Sequence, residues 1–146
     1  MVDMVGLKVV RRLALTVLAL TCSAVGRSSH AEPVIVNAES TTYDYHPSSA
    51  ATDEGSVWLA WHGYRRSRDQ IFVRHLALSG EFGQTTVLSG DGAVHGPPTI
   101  VASSDESVSA VWSSKIAGRW QIVLRQRIRQ EWQPGIILSD SQNDAI

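Results

Sequence analysis

An all-β protein of two antiparallel, four-stranded units is written into this 146-residue sequence. Two observations carry that expectation. The first is a repeat. Pro47, Ala51, Val57, Trp61, Gln70, Ile71 and Arg74 recur 51 residues later as Pro98, Ala102, Val108, Trp112, Gln121, Ile122 and Arg125. After a one-residue deletion the match resumes, Glu81-Phe82 with Glu131-Trp132 and Leu88-Ser89 with Leu138-Ser139. The second is the pattern inside each copy. Ser56–Trp61 reads Ser-Val-Trp-Leu-Ala-Trp, and Ser107–Trp112 reads Ser-Val-Ser-Ala-Val-Trp. Short runs that are apolar on both faces belong to strands covered on both sides. A period near 50 residues filled with short strands is the mark of a β-propeller blade, and propellers close with roughly 4–8 blades. The expected architecture is therefore a two-blade partial β-propeller, all-β, following an N-terminal signal peptide.

Residues 1–31 read as that signal peptide. Lys8, Arg11 and Arg12 precede an apolar run from Leu13 to Gly26, and Ser29-His30-Ala31 offers small residues at a cleavage site. The run is shorter than the about 20 residues of a spanning helix. An uncleaved anchor is the alternative. Cys22, the sole cysteine, lies inside this segment. Lipidation there is a second alternative, although Ala19-Leu20-Thr21 fits a lipobox poorly. The expected mature chain has no thiol, so neither a disulfide nor a thiolate nucleophile is available to it. Four of the 13 basic and one of the 14 acidic residues fall in the first 31, which leaves a net charge of −4 beyond them. That balance argues against nucleic acid and against an anionic membrane surface as partners.

Each repeat divides into four strands. The first is 48–51, matched by 99–102, with Pro47, Pro97 and Pro98 placed before first strands, where a missing N–H does little harm. Asp53-Glu54-Gly55 is a hairpin turn; its equivalent, Ser104-Asp105-Glu106, lacks the glycine. The second strands are 57–61 and 108–112, the third 70–76 and 121–128, and the fourth 85–88 and 135–138. Val34-Ile35-Val36-Asn37 resembles the fourth strands, so the expected division is 32–45 as an N-terminal strand completing a blade, 46–95 as blade 1, and 96–146 as blade 2 with the start of a missing third. Stacked repeats need neighbours to bury their faces. Two blades alone would leave apolar faces uncovered, which predicts association.

The segment from His46 to Phe72, with Pro47, Asp53-x-Gly55, Trp58, Ala60-Trp61, Arg65 and Ile71-Phe72, resembles the repeats of TolB-like β-propellers of exported bacterial proteins. The second copy keeps Pro98, Asp105, Val111-Trp112 and Ile122-Val123 but has Ser109 where Trp58 stands. Asp53-x-Gly55-x-x-Trp58 also looks like the tail of a sialidase Asp-box, a structural turn in that family; Ala51 stands where the box expects a hydroxyl residue. The resemblance implies the architecture. It does not imply an activity, because such folds serve as binding scaffolds, as enzymes and as gating domains.

No catalytic constellation is visible. His46, His62, His75 and His95 form no zinc-ligand spacing, and the sequence has neither a G-x-S-x-G elbow nor a phosphate loop. No metal and no cofactor is expected. Trp61 and Trp112, equivalent and mid-blade, are expected in the core. Trp58, Trp120 and Trp132 are alternatives between packing and sugar stacking. The loops joining second to third strands and those entering first strands should share one face. Its candidate ligand-binding residues are His62, Tyr64, Arg65, Arg66, Lys115 and Trp120.

The leading expectation is an exported, non-catalytic propeller module, periplasmic, cell-surface or secreted, that binds a protein or carbohydrate ligand or is a truncated propeller protein. It would not span the membrane once the signal is cleaved, and it has the option of completing its ring as a homo-oligomer. Two alternatives stay open: a two-blade carbohydrate-binding lectin that oligomerises into a full propeller, and the N-terminal fragment of a sialidase-like or propeller-gated hydrolase.

Overall fold

The computed structural model describes residues 32–37, 43–90 and 93–139. The signal-peptide expectation for residues 1–31 and the connection expected after Ser139 lie outside them. The chain divides into two units, Met1–Val34 and Ile35–Ile146. Only Glu32–Val34 of the first are described, exposed and without regular structure.

The second unit is all-β over its described residues, in two antiparallel sheets. The first sheet holds β1 (Tyr43–Ala51), β2 (Val57–Arg65), β3 (Arg68–Leu76) and β4 (Thr86–Val87), in that order. The second holds β5 (Thr99–Ser104), β6 (Ser107–Ile116), β7 (Arg119–Ile128) and β8 (Glu131–Trp132), with β9 (Ile136–Ile137) also paired to β7. The sheets differ in strand number only because the equivalent of β8 in the first is a single bridge, Leu76 to Phe82.

The strands run further than the sequence suggests, and turn chemistry explains why. The β2–β3 hairpin closes on Arg66 and Ser67, both at positive φ (52° and 63°). The β6–β7 hairpin closes on Ala117 and Gly118 (50° and 84°). Two consecutive left-handed residues make the tight turn that matches strand twist. Arg66 and Ser67 are not glycine, so the sequence carries no turn signal at the first hairpin; Gly118 is the one glycine of the four. Pro47 lies within β1 rather than before it. The register slips between Tyr45 and Ser48, and His46 takes a φ of 52°, so the proline sits at a bulge where no ladder N–H is required. As a result Tyr43–Tyr45 pair with β2. The one-residue deletion falls in the turn after the third strand. The first copy spans it with Gly80 at φ 88°; the second closes more tightly on Arg129 and Gln130.

The stacking of the sheets is the main architectural finding. Strand alternation and register place Trp58, Ala60, Ile71 and Val73 on one face of the first sheet. They pack against Val108, Ala110, Trp112 and Val123 of the second, with Leu88 and Ile100, in one core. By the 51-residue shift, the first-sheet equivalents of Val108, Ala110, Trp112 and Val123 are Val57, Leu59, Trp61 and Phe72, which lie on the opposite face. The sheets therefore stack front to back, as consecutive copies, and not like face to like face. Trp61 and Phe72 are buried on that outer face and stack on each other at 5.6 Å, under the Arg65 guanidinium.

An arginine repeats with the stacking. Arg125 donates from Nε to the Gln133 carbonyl (2.7 Å), from one terminal nitrogen to Trp132 (3.1 Å) and from the other to Leu88 of the preceding sheet (2.9 Å). Arg74 does the same one repeat earlier: Nε to the Gly83 carbonyl (2.8 Å), and a terminal nitrogen to the Val36 carbonyl. Val36 thus stands to the first sheet as Leu88 stands to the second. Within each sheet a serine repeats as well: the Ser89 and Ser139 hydroxyls accept from the Ile71 and Ile122 amides at 3.0 Å each.

Arg125→Ala orphans three carbonyls, so it should lower stability by about 1.5–3 kcal/mol, the range for hydrogen bonds to a charged group. Arg74→Ala, whose Nε bond is exposed, should cost less. Urea unfolding with an unchanged denaturant slope is the measurement.

Candidate binding cleft between the sheets

Front-to-back stacking leaves a wedge at the end of the sheets where the β5–β6 turn lies. Its cavity has a volume of about 510 Å³ and is lined by Trp58, His75, Asp105, Glu106, Arg127 and Trp132, among others. Trp58 comes from β2, His75 from β3, Asp105 and Glu106 from the turn, Arg127 from β7 and Trp132 from β8. Alternation sets Trp58 and His75 on the inner face of the first sheet and Arg127 on the inner face of the second.

Asp105 ties the two sides together. Its Oδ1 accepts from the Ser56 hydroxyl and lies 3.0 Å from His75 Nε2. The Arg127 guanidinium donates to the Asp105 backbone carbonyl and lies 4.9 Å from the Trp58 ring centroid. Trp58 also stacks obliquely on His75 (4.8 Å) and meets Trp132 edge to face (6.0 Å). With His75, Arg127 and Trp132 around it, Trp58 is a buried wall, whereas Trp132 is only partly covered. The Trp58 indole N–H lies near Asp105 without reaching hydrogen-bond geometry.

The Ser56 hydrogen bond is the chief cause that holds the Asp105 carboxyl below its usual range; desolvation opposes it, and His75 adds to the lowering. The cleft thus keeps an ionised acceptor at neutral pH. Ser56 and His75 both bond to the same carboxylate oxygen and Ser56 is buried against Thr52 Oγ1 at 2.9 Å. The imidazole is therefore not placed to take the serine proton, and the trio does not form a nucleophile–base pair. Among the described residues no group of three or more histidine, cysteine, aspartate or glutamate side chains is placed to hold a metal. No helix among them is long and apolar enough to cross a membrane.

The residues expected from sequence to bind ligand lie toward the β2–β3 and β6–β7 hairpins and differ in burial and facing. His62 is buried, 3.3 Å from the Tyr45 hydroxyl and 3.5 Å from Asp69. Arg65 lies over Phe72 and 3.4 Å from Asp44, on the outer face. Tyr64 is exposed on β2 and Arg66 is exposed in the β2–β3 turn. Lys115 and Trp120 are cross-strand partners on β6 and β7. Lys115 lines a cavity of about 570 Å³ at the β6–β7 end with His95 and Trp112. The cleft residues Ser56, His75 and Arg127 gave no signal in the sequence. Shifted by one repeat, His75 matches Gln126 and Asp105 matches Glu54, so their contact is not part of the repeat.

No protein-family model matches this chain, and no curated protein or solved structure matches it either. Geometry and chemistry alone carry the functional reading.

His62 and His95 are both held below the ordinary imidazole value of 6.5, in each case chiefly by burial; Asp69 opposes the shift at both. A depressed folded-state value means that the unfolded chain takes up protons first as pH falls. Stability should therefore be level above about pH 7.5 and should decline as pH drops through about 6.5 toward the lower folded-state values. A further loss from Asp105 begins near its ordinary value of 3.8 and continues below it. Urea midpoints from pH 5 to 8 measure the histidine step, and His95→Gln should shallow it.

Proposed function

We propose that this chain is a β-propeller-type binding module, acting by recognition and not by catalysis, in which the two sheets are consecutive blades. The front-to-back stacking carries this reading. In a ring of blades each sheet offers one face to its predecessor and the other to its successor, and a head-to-tail interface is what generates rings. The Arg74 and Arg125 stitches, each reaching the fourth-strand position of the sheet before, support the same order. Export is supported by the pattern of residues 1–31.

The functional unit of this reading is larger than two sheets. Ala60, Ile71 and Val73 are fully buried because the second sheet covers them. Their equivalents Val111, Ile122 and Leu124 are only half-buried, on the outer face of the second sheet. That face is built to be covered by another sheet of the same kind, and a second copy of this chain brings one. Ile35–Asn37 constrain how. They hold the fourth-strand place in front of the first sheet, so a copy docking there meets them with its own β9. Closure between copies requires one of these segments to give way.

Sedimentation of chains beginning at Glu32 and at Thr41 tests the proposal. Both should associate, the shorter more strongly, and Leu124→Asp should return both to folded monomers. Folded monomers from both unsubstituted chains at all concentrations would contradict it.

A further inference from the structure

The turn-end cleft has a chemistry of its own. Its volume of about 510 Å³ falls within the roughly 300–1,000 Å³ of small-molecule sites. Asp105 spends Oδ1 on Ser56 and His75, and no described hydrogen bond reaches its Oδ2. Glu106 adds a second carboxylate, Gln84 and Gln130 add amides that both donate and accept, and Arg127 has N–H groups beyond the one given to the Asp105 carbonyl. Trp132 supplies a partly open aromatic surface at the same wall.

Three ligand classes meet this lining differently. A phosphate or sulfate would face Asp105 and Glu106 with a single resident guanidinium, which is an unfavourable balance. A quaternary or primary ammonium would want an open aromatic face: Arg127 and His75 hold that of Trp58, which leaves Trp132 beside a resident guanidinium of like charge. A neutral polyhydroxylated ligand suits every group present. Its hydroxyls donate to the carboxylates and accept from the guanidinium and amides, and its C–H face packs on Trp132.

We infer that the cleft between the two sheets is a saccharide-binding site, with Trp132 as the packing surface and Asp105 as the principal acceptor. The inference rests on the reading of the chain as a binding module and names the ligand class of that module. Ser56 and His75 act as positioning residues: they fix the Asp105 carboxylate so that Oδ2 faces the ligand. The stacking of the sheets builds the site, since Trp58 and His75 come from one sheet and Arg127 and Trp132 from the other.

The full chain should be screened on a glycan array, and the best neutral oligosaccharide then titrated while the indole N–H resonance of Trp132 is followed by NMR. Inorganic phosphate and choline serve as the opposed probes. Saturable binding of a neutral saccharide is expected, with a shift of the Trp132 resonance and no response to phosphate or choline at equal ionic strength. Asp105→Asn, which keeps the side-chain shape, should weaken affinity at least tenfold; so should Trp132→Ala. Because Trp132 also packs against the core, Glu106→Gln at the rim is the safer third variant, expected to weaken binding without altering stability. An array with no hits, binding that survives both Asp105→Asn and Glu106→Gln, or a response to phosphate or choline in place of saccharide would overturn the inference. Contacts between Ile71 and Val108 in the same spectra separate the two readings. If they persist while no saccharide binds, the ligand class fails and the stacking stands.

Discussion

Everything described depends on how the second sheet sits on the first. Strands β6 and β7 present Val108, Ala110, Trp112 and Val123 to a surface made by Trp58, Ala60, Ile71 and Val73. These sets are not equivalent under the repeat, and that asymmetry decides the architecture. A pair of sheets packed through equivalent faces would be closed, with nothing left to add. A front-to-back pair is open, because each unused face is of the kind the other sheet already employs. Large apolar side chains supply the energy of this contact, since burial of apolar area dominates such interfaces. The arginine stitch supplies direction: Arg125 cannot reach the Leu88 carbonyl unless the sheets follow one another in this order.

The same stacking produces the polar features at the ends of the sheets. Twisted sheets that pack closely at mid-strand splay apart at their ends. One end becomes the cleft walled by Trp58 and Trp132. Near the other end, His62 and His95 are buried, and that burial dominates their titration. The cleft's cross-sheet bond, Asp105 to His75 and Ser56, also fixes how far the sheets open there. Site geometry and sheet packing are therefore a single problem, and a change at Asp105 is felt by both.

The repeat was fully legible in the sequence, and with it the strand order, the antiparallel pairing and the burial of Trp61 and Trp112. Strand ends were less so. Arg66 and Ser67 close a tight hairpin without glycine or asparagine, so β2 and β3 run several residues beyond the apolar pattern. Pro47 was expected to precede a strand and instead sits at a bulge inside one, a placement that only pairing with β2 reveals. The cleft was partly legible: Trp58 and Trp132 stood out as aromatic residues with two possible roles. Their meeting with His75, Asp105 and Arg127 could not be read, because it joins positions that the repeat does not relate. His62 and Arg65, singled out as loop-face residues, are drawn onto opposite sides of the first sheet by strand alternation, which the short expected strand did not extend far enough to show.

Nuclear Overhauser contacts between methyl groups across the two sheets test the front-to-back arrangement most directly. The account predicts contacts from Ile71, Val73 and Leu88 to Val108, Ala110 and Val123, with none from Val57 or Leu59 to the second sheet. Contacts from Val57 and Leu59 to Val108 and Ala110 would place equivalent faces together and contradict it.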